Sequence, residues 1–236
     1  MKVLVTGSTQ GIGKAIAAAL VKKNYEVIVH CSSDLAKAER VRGEIGAAAA
    51  VTCDLGKMDE VAGLYKKTGA VDCLILNASV QYKEKWNEVT PETLDKQIDI
   101  NFKSTLRLMQ DYYPAMKEQG FGRIITIGSV NQHRQHPELS VYSATKCAVM
   151  SLVKNIAKQV APFGITVNNV APGAISTPRN AEVYNDEEKR RSVESTIPVG
   201  RFGEVEDCVG AVLLLCGEEG AYITGADIVI DGGMSL

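Results

Sequence analysis

The chain has 236 residues, of which 45% are hydrophobic and 23% are charged, as in an ordinary globular domain. Its formal net charge of −2 offers no basic field to nucleic acid or to an anionic membrane surface, so we expect neither as a partner. No apolar run approaches the roughly 18 residues of a membrane-spanning helix. The apolar start Val3–Val5 leads directly into a glycine-rich turn, so we expect no signal peptide and a cytoplasmic location.

Seven short apolar runs alternate with helical patterns from one end of the chain to the other. The runs predict strands at 2–6, 26–31, 48–52, 71–76, 123–128, 165–170 and 227–230. The patterns between them predict helices at about 11–22, 34–44, 57–67, 91–118, 140–161 and 204–216. Near-continuous apolar runs are typical of parallel strands covered on both faces, and repeated β–α units connect through right-handed crossovers. We therefore predict one α/β domain over residues 1–236, a Rossmann-like doubly wound parallel sheet of about seven strands with helices on both faces.

The first predicted strand is followed by a glycine-rich turn, Thr6-Gly7-Ser8-Thr9-Gln10-Gly11-Ile12-Gly13, which opens the first helix. Its three glycines permit a tight turn, a close backbone approach to a pyrophosphate and close helix–strand packing. The first turn of the helix then offers free N–H groups to phosphate oxygens. This G-x-x-x-G-x-G spacing, between a strand and a helix, predicts a dinucleotide-binding end of the sheet.

The residues after the second and third predicted strands bear on which dinucleotide binds. An acidic residue at the end of the second strand would bind the adenosine ribose and select NAD. The chain has Cys31-Ser32-Ser33 there and no carboxylate before Asp34. Neutral hydroxyls accept a 2′-phosphate without repulsion, so the pattern favours NADP(H) over NAD(H), although no arginine occupies the site. The third strand is followed by Asp54-Leu55, which suits an adenine-edge contact and, almost equally, a helix N-cap.

The pattern at 91–118 predicts one long helix with an apolar stripe at Leu94, Ile98, Phe102, Leu106, Met109, Tyr113 and Met116. A stripe at this spacing marks one buried face of a helix. We therefore expect the stripe to serve core packing and subunit contact.

Tyr142 and Lys146 lie four positions apart in the helix predicted at 140–161, so they are one turn apart on the same face. A free phenol, with a pKa of ~10, is a poor base at neutral pH, and a nearby ammonium favours the phenolate. Ser129, after the fifth predicted strand, can share that site. A tyrosine and a lysine at this spacing also occur by chance on solvated helices, so their meaning depends on the rest of the chain.

The cysteines and histidines do not form a recognisable metal or disulfide pattern. The six cysteines lie inside apolar segments and contain no C-x-x-C pair, so we expect small buried side chains in a reducing compartment. The three histidines have no companions at ligand spacing, so we expect no metal site.

Taken together, these motifs resemble those of the short-chain dehydrogenase/reductase family, and the resemblance covers essentially the whole chain. The matching positions are Thr6–Gly13, Asp54, Asn77-Ala78-Ser79, Asn101, Ser129, Tyr142, Lys146, Pro172-Gly173 and Thr177. Two positions depart from the family's pattern. Ser79 stands where the family usually has glycine, and Gln10 stands where many NADP-dependent members have a basic residue.

The resemblance implies an NAD(P)-dependent oxidoreductase that interconverts a carbonyl and a secondary alcohol. It implies Tyr142 as the general acid/base, with Lys146 activating it and binding the nicotinamide ribose. It implies Ser129 as the group that holds and polarises the substrate oxygen, and Asn101 as the anchor of a proton-relay water. The implied cofactor site is Gly7, Thr9, Gln10, Gly11, Ile12, Gly13, Ser32, Asp54, Leu55, Asn77, Ala78, Tyr142, Lys146, Pro172, Gly173, Ile175 and Thr177. It also implies a homotetramer built through the helices at 91–118 and 140–161.

The loops around this site bear on the substrate. The loop Val130–His136 is unusually polar for a wall that would hold a steroid or a long acyl chain. It favours a small polar substrate such as a sugar, a polyol or an oxo acid, although a solvated loop at the edge of the site explains the same residues equally well. The irregular stretch at about 174–203 is expected to be a lid. We expect substrate contacts from Gln81, Asn131, His133 and Arg179, with Tyr82, Trp86 and Tyr184 on the same walls.

Two alternative functions stay open at this point. A 3-oxoacyl-carrier-protein reductase is the first, because much of the resembled family has that activity. A catalytically inactive dinucleotide sensor that regulates a partner is the second. A sensor needs the glycine-rich turn but not the full set of Asn101, Ser129, Tyr142 and Lys146, so the presence of that set favours an enzyme.

Overall fold

The computed structural model of the protein describes residues 1–236 and contains one seven-stranded sheet. The strands are β1 Lys2–Val5, β2 Glu26–Cys31, β3 Ala49–Thr52, β4 Cys73–Leu76, β5 Gly122–Ile127, β6 Ile165–Pro172 and β7 Asp227–Ile230. They lie in the order β3-β2-β1-β4-β5-β6-β7, and every neighbouring pair is parallel. The predicted doubly wound sheet is confirmed. Its winding reverses between β1 and β4, the place where such sheets open a crevice for a ligand.

The helices cover both faces of this sheet. They are α1 Gly11–Lys22, α2 Leu35–Ile45, α3 Met58–Thr68, α4 Pro91–Ile98, α5 Ser104–Gln119, α6 Ser140–Val160, α7 Ala181–Tyr184, α8 Glu187–Glu194 and α9 Val205–Cys216. Alternate strand residues point to opposite faces, so Val3 and Val5 pack with α1, α2 and α9. Leu4 packs with α3, α5 and α6 on the other face. The two buried clusters hold the carboxyl ends of the strands in fixed positions.

The stretch 174–203 is not irregular throughout, because it contains α7 and α8. The carboxylate of Asp186 caps α8 by accepting hydrogen bonds from the backbone N–H groups of Glu188 and Lys189, both at 3.1 Å. Glu187 and Arg191 form an ion pair one turn apart. The charged run therefore folds through capping and side-chain pairs, without the apolar periodicity that marks a helix in the sequence.

The helix predicted at 91–118 is interrupted by a π-helical turn, Asp99–Lys103, between α4 and α5. An extra residue in the turn rotates everything after it by about 100° relative to a continuous helix. Of the predicted apolar stripe only Met109 and Met116 are fully buried, and Leu94 is 36% exposed. The single uninterrupted helix is therefore wrong, and the buried face of α5 is Ser104, Thr105, Leu108, Met109, Tyr112 and Met116.

Five of the six cysteines are buried, as predicted, and Cys147 on α6 is exposed. Cys147 follows the buried Lys146, and adjacent helical residues point about 100° apart. None of the helices is both long and apolar enough to cross a membrane.

Candidate active site

A cavity of about 620 Å³ lies at the carboxyl ends of the strands. Its wall is formed by residues that follow β1 through β6, together with the segment 174–202. Every residue of the predicted cofactor site except the buried Lys146 lines this cavity. The topology thus collects residues that are up to 170 positions apart in the chain at one edge of the sheet.

The turn after β1 is held from the side by Asn77. Its Nδ2 donates to the carbonyl oxygens of Thr6 at 2.9 Å and Gly7 at 3.1 Å. Gly7 has a φ of +63°, and a Cβ at Gly13 would lie 2.5 Å from the Gly7 oxygen. The turn therefore requires glycine at these two positions. Its three glycines leave backbone without a side chain at the cavity wall, which fits the pyrophosphate of a dinucleotide.

His30 stabilises the same turn from below, and the sequence pattern did not single it out. Its Nδ1 accepts a hydrogen bond from the Gly7 N–H at 3.1 Å. Its Nε2 lies 3.0 Å from the Cys53 carbonyl oxygen and acts as the donor there. Burial lowers the pKa of His30 to about 4, so the ring is neutral at physiological pH. A histidine inside an apolar strand is the only hint that the sequence contains.

The adenosine end of the cavity combines hydroxyl, amide and cationic groups. Ser32, Gln10 and Lys37 all line it, and Lys37 Nζ lies 3.1 Å from Gln10 Oε1. Asp34 faces away, because its carboxylate caps α2 by accepting from the Lys37 N–H at 2.8 Å. Asp54 lines the cavity while its Oδ1 accepts from the Gly56 N–H at 3.0 Å. Lys37 was not among the predicted cofactor residues, because it lies in the first turn of α2, beyond the strand-end positions that indicate a dinucleotide site.

Tyr142 and Lys146 lie in the first two turns of α6, with Tyr142 on the cavity wall. The Lys146 Nζ is 5.5 Å from the centroid of the Tyr142 ring and donates to the Ile127 carbonyl oxygen at 2.7 Å. Burial, and to a smaller extent the charge of Arg179, lowers the pKa of Lys146 to about 7. The ammonium keeps two more donors, so it can bind a second group beside the phenol.

Ser129 stands between β5 and a short 3₁₀ turn, Val130–Gln132, and lines the cavity next to Tyr142. Its backbone N–H donates to Gln132 Oε1 at 3.3 Å, and its Oγ accepts from the Asn131 N–H at 3.2 Å. This reciprocal capping arrangement fixes the serine at the strand end. The hydroxyl proton stays available to a substrate oxygen.

Asn101 does not line the cavity. Its Oδ1 accepts from the Val80 N–H at 2.9 Å, and its Nδ2 donates to the Val80 carbonyl at 2.9 Å and to Thr145 Oγ1 at 3.2 Å. The side chain thus ties the loop after β4 to α6. One lone pair of Oδ1 is left, so a water anchored by this amide can use only that position.

The predicted substrate residues divide into two groups. Gln81, Asn131 and Arg179 line the cavity. His133 does not, because its Nε2 pairs with Asp227 Oδ2 at 2.7 Å, at the start of β7. Trp86 is 78% exposed and outside the cavity. The expectations for His133 and Trp86 are therefore wrong.

The two tyrosines expected on the same walls are also absent from the cavity lining. Tyr184 packs edge-on against Phe202 at 5.5 Å between ring centroids. Tyr82 is half-buried but does not reach the cavity. Other side chains of these loops line it instead: Lys83, Arg134 and His136.

Arg179 connects the segment 174–203 to the loop after β4. Its guanidinium donates to the Ser79 carbonyl oxygen at 2.7 Å and lies 3.1 Å from Ser79 Oγ. A glycine at position 79 would offer the carbonyl but not the hydroxyl. The departure from the family pattern at Ser79 therefore adds one contact between the two sides of the cavity.

Comparison with known proteins gives a consistent result. A family model described as enoyl-(acyl carrier protein) reductase matches residues 7–235. Dehydrogenase/reductase SDR family member 4 of Homo sapiens is 36% identical over an alignment of 238 positions, which covers 98% of this chain and 86% of that relative.

Solved structures of similar proteins cover nearly the whole chain. A 3-oxoacyl-(acyl-carrier-protein) reductase from Agrobacterium tumefaciens with NADP bound has a TM-score of 0.92 at 33% identity, covering 98% of this chain and 93% of that one. A gluconate 5-dehydrogenase from Burkholderia cenocepacia in complex with NADP and tartrate has a TM-score of 0.91 at 28% identity, covering 99% and 94%.

Proposed function

The chain belongs to the short-chain dehydrogenase/reductase family and is an oxidoreductase, and from that premise we propose that it interconverts a carbonyl and a secondary alcohol on a small polar substrate with NADP(H). The observation that carries the proposal is that Tyr142 and Ser129 line one cavity with the residues that fit the dinucleotide, while the buried Lys146 lies 5.5 Å from the Tyr142 ring. A phenol, a hydroxyl and an ammonium at one point are the groups that a carbonyl–alcohol interconversion needs.

The chemistry divides between the cofactor and the protein. A bound nicotinamide would supply the hydride for reduction and would accept it in oxidation. In reduction Tyr142 gives its phenolic proton to the substrate oxygen, and in oxidation its phenolate takes the proton from the hydroxyl. Ser129 holds that oxygen through a hydrogen bond. The positive charge of Lys146 favours the phenolate, and Asn101 anchors the relay water through its free Oδ1 lone pair.

The preference for NADP(H) is supported by the charges at the adenosine end. Ser32 and Lys37 line that end, and the nearby carboxylate of Asp34 is directed to the α2 backbone. A 2′-phosphate would therefore meet a cation and a hydroxyl instead of an acid. The structures from Agrobacterium and Burkholderia were both solved with NADP.

Replacing Lys37 by alanine tests the cofactor preference. We expect the KM for NADPH to rise about tenfold, the usual cost of losing a hydrogen bond to a charged group, while the KM for NADH stays the same. Steady-state kinetics with both cofactors measure this. Lys154→Ala, at an exposed lysine on α6, is the control. An equal rise for both cofactors would contradict the preference.

The polar lining of the substrate end supports a small polar substrate. Gln81, Asn131 and Asn180 face this space, together with basic side chains. A sugar, a polyol or an oxo acid offers hydroxyl and carboxylate groups to such a wall. The similar gluconate 5-dehydrogenase, with tartrate bound, supports the same class. The similarity to a 3-oxoacyl-(acyl-carrier-protein) reductase keeps that activity as the second candidate.

A panel assay with Tyr142→Phe tests the reaction. NADPH and NADH are offered in parallel with sugars, polyols, oxo acids, ketones and oxoacyl thioesters. We expect the variant to lose about 10²–10⁴-fold in kcat while the Kd for the cofactor is unchanged. Tyr113→Phe, at a tyrosine outside the cavity, is the matched control. Near-normal turnover by Tyr142→Phe would refute the assignment, and NADPH binding without turnover of any substrate would favour the inactive sensor.

We also propose a homotetramer that forms through the helices α4 to α6. Leu94 on α4 is exposed, and Phe102 and Leu106 are only half-buried in the free chain. Contact with another subunit would remove this apolar surface from water.

A further inference from the structure

The two ends of the cavity differ in charge. Among all the residues that line it, Asp54 is the only acid, and it follows β3 at the adenosine end. The substrate end is lined by Lys83, Arg134, His136 and Arg179 and by no carboxylate. We call Lys83, Arg134 and His136 the basic loop cluster. An anion that enters the substrate end therefore meets cationic groups and no carboxylate.

The arginines of the chain show how unusual this environment is. Six of the nine form ion pairs with a carboxylate: Arg40, Arg42, Arg107, Arg190, Arg191 and Arg201. Arg123 is buried and donates to the carbonyl oxygens of Gly122 at 3.0 Å and Gly164 at 3.3 Å. The other two, Arg134 and Arg179, both line the cavity. Arg179 is bonded to Ser79, so Arg134 is the arginine whose side chain has no partner in the protein.

The fold brings the cluster together from two loops. Glu84 and Leu139 form an isolated parallel bridge, in which the Glu84 N–H donates to the Glu138 carbonyl oxygen at 2.9 Å. This backbone contact fixes the loop after β4, which carries Lys83, against the loop after β5, which carries Arg134 and His136. The cluster is therefore built by the backbone and does not depend on chance positions of long side chains.

Lys83 and Arg134 are the charged members of the cluster, and both act on His136. The pKa of His136 is lowered by its burial and then by the charges of Lys83 and Arg134. Glu138 faces His136 from the same loop and acts in the opposite direction, but it forms no ion pair with any member of the cluster. Glu84 does not line the cavity. A cluster of like charges without a counter-ion is stabilised by an anionic ligand.

From these observations we propose that the basic loop cluster binds a carboxylate of the substrate, whose carbonyl or hydroxyl carbon lies at Tyr142 and Ser129. The substrate class is then a small hydroxy acid or oxo acid, such as a sugar acid. This proposal rests on the proposed function, because it assigns the far end of the same substrate. Arg134 is the main recognition group, since a guanidinium holds a carboxylate through two parallel hydrogen bonds.

The test compares acids with neutral analogues of the same length in the wild type and in Arg134→Gln. Gluconate with sorbitol, and tartrate with threitol, are suitable pairs in the oxidation direction with NADP. We expect the wild type to prefer the acids. In Arg134→Gln, kcat/KM for the acids should fall about 10- to 100-fold because KM rises. For the neutral compounds, kcat/KM should change less than about twofold. Arg134→Lys should restore part of the loss. Arg107→Gln, which breaks the surface pair with Asp111, is the matched control.

A binding measurement makes the test independent of turnover. Titration calorimetry of the NADPH complex with tartrate should show binding to the wild type and at least tenfold weaker binding to Arg134→Gln. Two results would overturn the carboxylate proposal: equal kcat/KM for acids and neutral analogues, or no tartrate binding by the wild type. Neither result would affect the proposed function, provided that carbonyl turnover still depends on Tyr142. Loss of activity in Arg134→Gln only with oxoacyl-carrier protein would overturn the carboxylate proposal in favour of a protein partner. Tartrate binding without turnover of any carbonyl or alcohol would instead refute the proposed function.

Discussion

The cofactor half and the substrate half of the cavity use their polar side chains in different ways. In the cofactor half, His30 and Asn77 are bonded to the backbone of the turn and of the neighbouring strand ends. In the substrate half, the side chains of Lys83 and Arg134 line the cavity and form no ion pair. A buried polar group bonded to backbone holds a shape, whereas an unpaired cation keeps its capacity to bind an incoming group.

This difference follows from what each half has to bind. A pyrophosphate is bound by backbone N–H groups, so the protein uses its side chains there to position a tight glycine turn. A small substrate offers few groups, so side chains must contact it directly. Substitutions in the cofactor half should therefore change geometry and stability. Substitutions in the substrate half should change selectivity.

The largest effect is expected from Gly13→Ala, which breaks the geometry of the cofactor half. The new Cβ would overlap Asn77 Nδ2, which holds the turn, and would lie 2.5 Å from the Gly7 oxygen of the turn itself. We expect the substitution to cost about 3 kcal/mol, either in the free energy of NADPH binding or in that of unfolding. The first would raise the Kd for NADPH about 100-fold, and the second would lower the Tm. Gly43→Ala, in α2 with open space around its Cα, should be neutral or slightly stabilising. Unchanged cofactor binding in Gly13→Ala would show that the turn is less confined than its contacts indicate.

An effect of similar size, confined to low pH, is expected from the pH dependence that His30 adds to the cofactor half. Its folded-state pKa is lowered from 6.5 to about 4, so the unfolded chain binds the extra proton first as the pH falls. The contribution of neutral His30 to the free energy of unfolding is complete above about pH 6.5. As the pH falls to 4, the protein loses roughly 3 kcal/mol of this stability.

Urea unfolding of the wild type and of His30→Asn between pH 4 and 7 measures this contribution. Asparagine keeps an acceptor for the Gly7 N–H but does not titrate, so the loss of stability toward low pH should be smaller in the variant. Carboxylates titrate in both proteins, and the difference between the two curves isolates the histidine. Identical pH dependence would exclude a proton-linked contribution from His30.

The smallest effect is expected from Ser79→Gly, where the two halves meet. The substitution removes the 3.1 Å contact between Arg179 and Ser79 Oγ and keeps the 2.7 Å bond to the Ser79 carbonyl oxygen. Because the guanidinium is exposed, we expect the lost contact to cost less than about 1 kcal/mol of binding free energy. The KM for substrate should therefore change a few-fold at most. Kinetics at saturating NADPH measure it. A change of tenfold or more would show that the hydroxyl contact controls lid position.

Much of the fold could be predicted because its signals are local. Continuous apolar runs of strand length and the turn at Thr6–Gly13 identify parallel β–α units whatever else the chain contains. The π-helical turn Asp99–Lys103 could not be predicted, since it changes the helical phase without altering the apolar composition. The helix α8 was missed for a similar reason: capping and ion pairs stabilise it without an apolar stripe.

The candidate site divides in the same way. The residue types at Ser129, Tyr142 and Lys146, their order and their spacing are properties of the sequence, and they indicated the reaction class. Other features of the site depend on contacts between segments up to 94 residues apart. They are the pairing of His133 with Asp227, the two hydrogen bonds of His30, and the approach of Lys83 to Arg134 and His136. Backbone periodicity is a local property, whereas the charge that a substrate meets is set by which distant loops the sheet brings together. The sequence alone therefore determined the chemistry, and the tertiary structure decided which side chains are left free to choose the substrate.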